Sequence, residues 1–451
     1  MCIRDSHLGA SAIAQQPLAA EDRALENSPP ESSVPEASSA EATYSVTGLG
    51  EEPSSGGVSR AERYREPQGE PYRVGSFLLY PQLEATVVHD DNVFYSNTDR
   101  QSDLAGVYTA ALWAKSNWSR HALNMHASAD ATRYQDYSQE DSDDYRFSME
   151  GRHDLSPHRN VYGGFHFSRN HEDRESPDDR NGVTPTRYYQ ERYYVGYFDQ
   201  PNQWSFRLAA TALRLNYRDV DRRLDTGVIT GINNDDRDRW QYTTGLRVGY
   251  ELSTPLEVYG QFAVDNRRYD ALIDDNGLAR DSDGQRYFVG IKYLVPQTLK
   301  LDVFGGWLKQ DYGASGSVEK PILGLAMVWS ASTRNTVTVM VDRTLEETTV
   351  LSSDNLTAAT SYLNTYASIR FQHQWSEQWG FRIGASASRS DYQGIRRQDD
   401  YTGAYIGVQY RLHPNALLDF EFAERRLDST LDAENFQKQT AMLKLVIPFS
   451  S

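Results

Sequence analysis

Apolar and polar positions alternate along most of this chain. From Trp240 to Leu252, one face carries Trp240, Tyr242, Thr244, Leu246, Val248, Tyr250 and Leu252, and the other carries Gln241, Thr243, Gly245, Arg247, Gly249 and Glu251. From Thr402 to Leu412, Ala404, Ile406, Val408, Tyr410 and Leu412 oppose Gly403, Tyr405, Gly407, Gln409 and Arg411. Successive side chains of a pleated strand point to opposite sides, so a period of two predicts strands with one apolar and one polar face. Between about Leu79 and Phe449 one unit recurs: strand, short polar turn, strand, long acidic loop. The turns include Ser116-Asn117, Ser156-Pro157-His158, Gln200-Pro201-Asn202, Ser253-Thr254-Pro255, Pro296-Gln297 and His413-Pro414-Asn415. They return roughly every 40 residues, the length of one hairpin plus one loop. The count is about 18 strands, which puts both ends of the folded part on the short-turn side.

A soluble sandwich also alternates. Here the apolar faces carry aromatics near their ends and aliphatics between, the polar faces are rich in Gly, Ser, Thr, Gln and Arg, and loop lengths are asymmetric. Together these predict an all-β, antiparallel up-and-down barrel that spans an outer membrane. About 18 tilted strands give a backbone diameter of roughly 35 Å and a bore of roughly 10 to 20 Å unless loops plug it. A single glycan chain passes such a bore and a folded protein does not.

Composition agrees. No run approaches the ~18 consecutive apolar residues of a membrane helix. A mean hydropathy of -0.67 fits a barrel, because only every second strand residue faces lipid. The 29 Tyr and 8 Trp suit the two membrane–water boundaries. Cys2 is the one cysteine, so no disulfide framework or thiolate metal site is expected in the folded part. The net charge of -17 argues against a nucleic-acid partner. Ala12-Ile13-Ala14 before Gln15-Gln16 resembles a signal-peptidase site, so residues 1–14 are read as the remnant of a secretory signal. Residues 15–72 are rich in Ser, Pro, Glu, Ala and Gly and too poor in large apolar residues for a core, so a disordered periplasmic segment is expected. The barrel takes residues 73–451.

On the inward parity, Arg192, Arg207, Arg247, Glu251, Lys292, Asp342, Arg370, Gln409 and Arg411 are candidates for a substrate path, against the plainer reading that lumen charges pair and hold the barrel's shape. Tyr194, Tyr366 and Tyr405 are candidate platforms for sugar rings, although most aromatics of a barrel belong to its girdles. The acidic loops, such as Glu140-Asp141-Ser142-Asp143-Asp144, lack calcium-loop spacing and read as solvated charge. The chain contains no G-x-S-x-G, H-E-x-x-H or Gly-rich phosphate loop, and no catalysis, metal or cofactor is expected.

One stretch is more specific. Pro81 to Phe94 runs from a proline through an alternating strand into Asp90-Asp91-Asn92-Val93-Phe94. With Trp118-Ser119-Arg120, Arg174-Glu175-Ser176-Pro177 and Tyr188-Tyr189, in that order, it resembles the family described as putative β-barrel porin 2. The resemblance covers roughly residues 73 to 451 and brings no catalytic residues with it. It implies a bacterial outer-membrane barrel, often associated with capsule or exopolysaccharide synthesis, that gives the polymer its exit beside a periplasmic polysaccharide export protein, among lipid and lipopolysaccharide. Asp90, Asp91 and Asn92 match the family signature, and a turn-and-cap role is the simplest reading of them. The leading expectation is therefore a polar conduit for an exopolysaccharide or capsular polysaccharide. A general or sugar-uptake porin and a structural or adhesive surface barrel are the alternatives, with a lipid-modifying barrel enzyme last. Inward-folded loops filling the lumen would weaken both transport readings.

Overall fold

The computed structural model describes residues 69–179, 181–223, 229–353 and 357–449. Residues 1–14, and 15–72 up to residue 68, fall outside them. Strands β1 (Phe77–Asp90), β2 (Asp103–Ser116), β3 (Ala122–Tyr134), β4 (Ser142–Ser156), β5 (Arg159–His171) and β6 (Arg187–Asp199) open the barrel. Then come β7 (Trp204–Tyr217), β8 (Arg239–Ser253), β9 (Leu256–Tyr269), β10 (Ser282–Val295), β11 (Leu299–Asp311) and β12 (Ser317–Ser332). Strands β13 (Asn335–Glu347), β14 (Ser361–Gln374), β15 (Trp379–Gln393), β16 (Gln398–His413), β17 (Ala416–Ser429) and β18 (Phe436–Pro448) complete it. Each strand pairs antiparallel with its neighbours in sequence, and β1 pairs with β18 from Gln82↔Pro448 to Asp90↔Thr440, so the sheet closes on itself. The predicted turns all fall at one end. Two pieces were not predicted: Tyr72–Val74, which pairs back on β1, and a small hairpin of Val220–Arg223 with Ile229–Ile232 in the loop after β7.

The alternation sorts inside from outside as expected. Leu83, Val87, Leu246, Phe262, Val289, Ile291, Ile406 and Leu443 face outward and are exposed. A soluble sandwich would bury these side chains, whereas an apolar outer belt of this extent needs lipid against it. Aromatic pairs rim the belt: Tyr287–Trp307 toward the loops, and Trp204–Tyr250 and Trp379–Tyr410 toward the turns. Inside, Asp130, Glu150, Ser386 and Ser388 are only partly buried, so water reaches the lumen wall between the girdles.

Besides single-residue register shifts at the turn ends of β4, β8, β12 and β16, one ladder of the sheet is cut short. The β12–β13 ladder starts at Gly324↔Asp342 and runs only toward the turns. Above it, Ser317 to Leu323 pair with β11 alone and Arg343 to Glu347 with β14 alone. The free top of the β13–β14 hairpin folds inward instead. Leu345 and Leu363 pack on Tyr259, Phe288, Leu308, Val318 and Ile322 of the facing wall. Arginines replace the missing ladder: Arg267 donates to the Leu345 carbonyl, and Arg280 donates to the Thr348 and Ala359 carbonyls. Pro321 lies in the stretch that pairs with β11 alone, and a proline without an N–H belongs on a sheet edge.

Candidate functional site: the loop-end mouth and the lumen wall

The long loop after β5, described over residues 172–179 and 181–186, crosses the mouth of the barrel. It starts where the Glu172 N–H donates to the Thr186 carbonyl, and turns tightly with Ser176 N–H on the Asp173 carbonyl and Asp179 N–H on the Ser176 carbonyl. Charged groups on distant elements then hold it. Arg237, after β7, grips the Glu172 carboxylate with two hydrogen bonds of 2.7 and 2.9 Å while lying 3.9 Å over the Tyr217 ring. Arg174 grips Glu140, before β4, in the same two-pronged way at 2.7 and 2.9 Å, and approaches Asp179 at 3.4 Å. On the far side, Arg425 of β17 pairs with Glu175 at 2.7 Å, and the Tyr401 hydroxyl of β16 donates to the Glu175 carbonyl. Asp178 accepts from the Thr348 and Thr349 hydroxyls and the Thr349 N–H, at 2.8 to 3.1 Å, and so ties the loop to the infolded β13–β14 hairpin.

The two inward elements thus meet over the lumen. Glu172, Asp178, Arg237, Glu347, Thr349 and Tyr362 are among the residues around a cavity of about 30 Å³ at their junction. That holds a water molecule or two and no sugar ring. Glu347 is bound from below by Arg267, Tyr269 and Tyr312. Such buried charges persist because each is matched, since an unmatched one costs several kcal/mol. Burial nevertheless pushes the Asp179 carboxyl up to about 6, Arg174 pulling the other way, and also raises the Glu175 carboxyl against the pull of Arg425. The unobstructed bore expected from strand number alone is therefore not present at the loop end.

The candidate lumen residues divide between two stretches of wall. Arg192, Arg207, Arg247, Glu251 and Lys292 line β6, β7, β8 and β10. Arg207 and Arg247 stand directly opposite each other across the β7–β8 ladder, and Glu251 takes a 3.4 Å hydrogen bond from Gln200 near the turns. Asp342, Tyr366, Arg370, Tyr405, Gln409 and Arg411 line β13, β14 and β16. Asp342 is buried on the last rung of the β12–β13 ladder and is the register partner of Tyr366 on β14. Arg370 donates to the Tyr405 hydroxyl at 2.8 Å, Gln409 reaches Asp419 at 3.5 Å, and Arg411 is exposed at the turn-side rim.

Sequence reading missed a buried network on β15, β17, β18 and β1. Arg382 bridges Asp419 and Glu421 at 2.7 and 2.8 Å, and Lys444 lies 3.8 Å from Glu84. Their inward parity was readable, but their pairing across strands was not. The signature residues close the seam of the barrel. Asn92 is fully buried, donates to the Ser96 and Gln437 carbonyls and accepts from the Ser96 N–H, all at 2.9 Å. Asp90 caps the Asn92 N–H and pairs with Lys438 at 2.7 Å, and Asp91 accepts from the Gln439 N–H.

A closed sheet, greasy outside, wet inside and with long loops at one end, defines an outer-membrane β-barrel of porin type, and with it a bacterial outer-membrane location. The chain belongs to the family described as "Putative beta-barrel porin 2", whose profile matches residues 65–449. No curated protein matches it. Among solved structures it is similar to Acinetobacter baumannii OccAB3, at 11% identity and TM-score 0.44, over 83% of this chain and 100% of that one. It is also similar to Pseudomonas aeruginosa OccK5 (OpdH), at 11% identity and TM-score 0.41, over 82% and 98%. The ferric enterobactin receptor PfeA of Pseudomonas aeruginosa, as a G324V mutant, matches at 8% identity and TM-score 0.41, over 85% and 81%.

Proposed function

We propose that this barrel is a gated polar conduit that lets an exopolysaccharide or capsular polysaccharide leave the cell, without chemistry of its own. The observation that carries the reading is the crossed mouth. A wet lumen lies below a loop and a hairpin that are latched to each other and to the far wall by Glu172–Arg237, Glu175–Arg425 and Asp178–Thr349. A diffusion pore for small solutes gains little from a mouth crossed by a latched loop and hairpin. A conduit for a long polymer, used only during synthesis, must be shut at other times to keep the membrane tight. The hairpin has somewhere to go when the latch opens. Extending the β12–β13 register upward from Gly324↔Asp342 would place Lys320 opposite Glu346, an attractive pair. Strand β1 starts and β18 finishes at the turn end, so in this reading the tail that precedes β1 lies in the periplasm, beside an export protein of the synthesis machinery.

Deletion of the gene tests the reading. Loss of surface polymer with unchanged permeability to small solutes supports export. Normal polymer with reduced sugar uptake would replace it with an uptake porin. That second reading draws on the same infolded loop, because a loop lying across the mouth would act as a size filter.

A further inference from the structure

We propose that the outer face of β4 to β7, where these strands reach the loops, binds the headgroup phosphates of a glycolipid in the outer leaflet. The site does not depend on what the lumen carries. It is built on a patch of rings that faces lipid. Tyr145 and Phe147 of β4, Phe165 and Phe167 of β5, and Tyr189 and Tyr193 of β6 share the outward parity. Their rings meet across the strands, with centroids 6.0 Å apart for Tyr145–Phe167, 6.2 Å for Phe167–Tyr189, 6.5 Å for Phe147–Phe165 and 4.9 Å for Phe165–Tyr193. Tyr145, Phe147 and Tyr193 are exposed. Rings set side by side in this way give acyl chains a continuous surface, and tyrosines at its upper edge suit the boundary with water.

Three arginines cap the patch on its loop side. Arg169 of β5 stands opposite both Tyr145 and Tyr189 in register, its guanidinium 5.7 Å from the Tyr145 centroid. Arg218, just past β7, holds its guanidinium 5.0 Å from the Tyr189 centroid, and its N–H donates to the carbonyl of Arg187, the first residue of β6. Arg187 and Arg218 are exposed and Arg169 is half-buried. Elsewhere on this outer rim an arginine comes with a carboxylate: Arg133 with Asp143, Arg214 with Asp270, Arg268 with Asp283, Arg389 with Asp400 and Arg426 with Asp428. Among the described residues, Arg169, Arg187 and Arg218 have no such partner. Neighbouring carboxylates are engaged with other groups: Asp143 with Arg133, Glu191 with the Tyr193 hydroxyl at 2.7 Å, and Asp219 with the Asn234 N–H at 2.8 Å. A guanidinium laid on a ring has used its flat face, and its in-plane N–H donors form the fork that fits two phosphate oxygens. Strand spacing spreads the three cations over roughly 10 Å of rim, wider than one phosphate. That favours a glycolipid with phosphates at two places on its sugars over a glycerolipid with one.

Native mass spectrometry of the full-length barrel in detergent tests this with three added lipids: bis-phosphorylated lipid A, the same lipid stripped of its phosphates, and phosphatidylglycerol. The phosphorylated lipid A is expected to stay bound most tightly. Changing Arg169, Arg187 and Arg218 together to Gln should weaken its binding by about tenfold or more. Changing the same three to Lys, which keeps the charge and loses the fork, should leave binding between the parent and the Gln variant. Arg389→Gln, which removes an arginine matched by Asp400 on another part of the rim, should leave it unchanged. Heat-shifted electrophoretic mobility establishes that each variant is folded. Equal binding of the dephosphorylated lipid, or a triple Gln variant that binds as the parent does, overturns the site. Phosphatidylglycerol held as tightly as lipid A overturns the assignment to a glycolipid, and an equal loss from Arg389→Gln reduces the effect to overall charge and overturns it too.

Discussion

Asn92 shows how one side chain can tie the two ends of a barrel together beside the ladder that closes it. Its amide joins the loop after β1 to the backbone of β18, 345 residues away in sequence. The flanking aspartates add Lys438 and the Gln439 N–H to the same seam. Removing the amide strands two part-buried carbonyls and one N–H, at a cost of up to about 1–3 kcal/mol for each group left unsatisfied. Asn92→Ala should therefore lower the urea midpoint of the detergent-refolded barrel, read by tryptophan fluorescence, and let it migrate as the unfolded form at lower temperature. Asn92→Asp should be worse, because a carboxylate would face the Ser96 and Gln437 carbonyls. An Asn92→Ala barrel as resistant as the parent would remove the clasp from this account. The chemistry of Asp90-Asp91-Asn92 is local and legible as a turn and cap, but its partners on β18 are not local, and nothing near residue 92 announces them.

At the scale of elements, loop 172–186 and the top of the β13–β14 hairpin act together, and acid strengthens their hold. Asp179 faces Arg174, Glu172 and Glu140, and Glu175 faces Arg425, Asp173 and Lys438. Both carboxyls are raised by burial, so the docked loop holds protons more tightly than a free loop does. Docking is favoured most below the ordinary carboxylate range and loses that stabilisation as pH rises through about 6, the docked value for Asp179. Single barrels in planar bilayers should pass less current at pH 5 than at pH 7.5, and Asp179→Asn should shrink the difference. A pH-independent current in the parent would refute the assignment. The latch itself predicts a second effect. Arg425→Ala leaves Glu175 buried without its cation and should raise open probability at neutral pH, whereas Arg389→Ala, which removes an exposed ion pair with Asp400, should not. The hairpin gives a third. Cysteines at 320 and 346 should cross-link only when the hairpin moves out to complete the ladder, so oxidation should trap a conducting state.

For the whole molecule, the barrel was legible because its rule is short-range. The pleat fixes a period of two, tight turns fix the hairpins, and the lipid fixes which face is greasy, so strand number and sidedness follow from patterns a few residues long. The crossed mouth was not legible, because it depends on pairs such as Glu175 with Arg425, 250 residues apart, and on a ladder that stops halfway up β13. Arg174-Glu175-Ser176-Pro177 stood out in the sequence with no role attached, and Pro321 was a local hint of the broken ladder that only the register explains. The same short-range rule makes the membrane reading testable. Val289 is 71% exposed and points outward between the girdles, with Tyr287 on its loop side and Ile291 on its turn side. In lipid, a charge there costs about 2–4 kcal/mol, and in a water-facing sheet it costs almost nothing. Val289→Arg should destabilise the barrel in bilayers by that amount, while Arg286→Ala on the inward face of the same strand changes it far less, its carboxylate partner Asp265 keeping Arg267. Equal, small effects from both would mean that the face now assigned to lipid is wet.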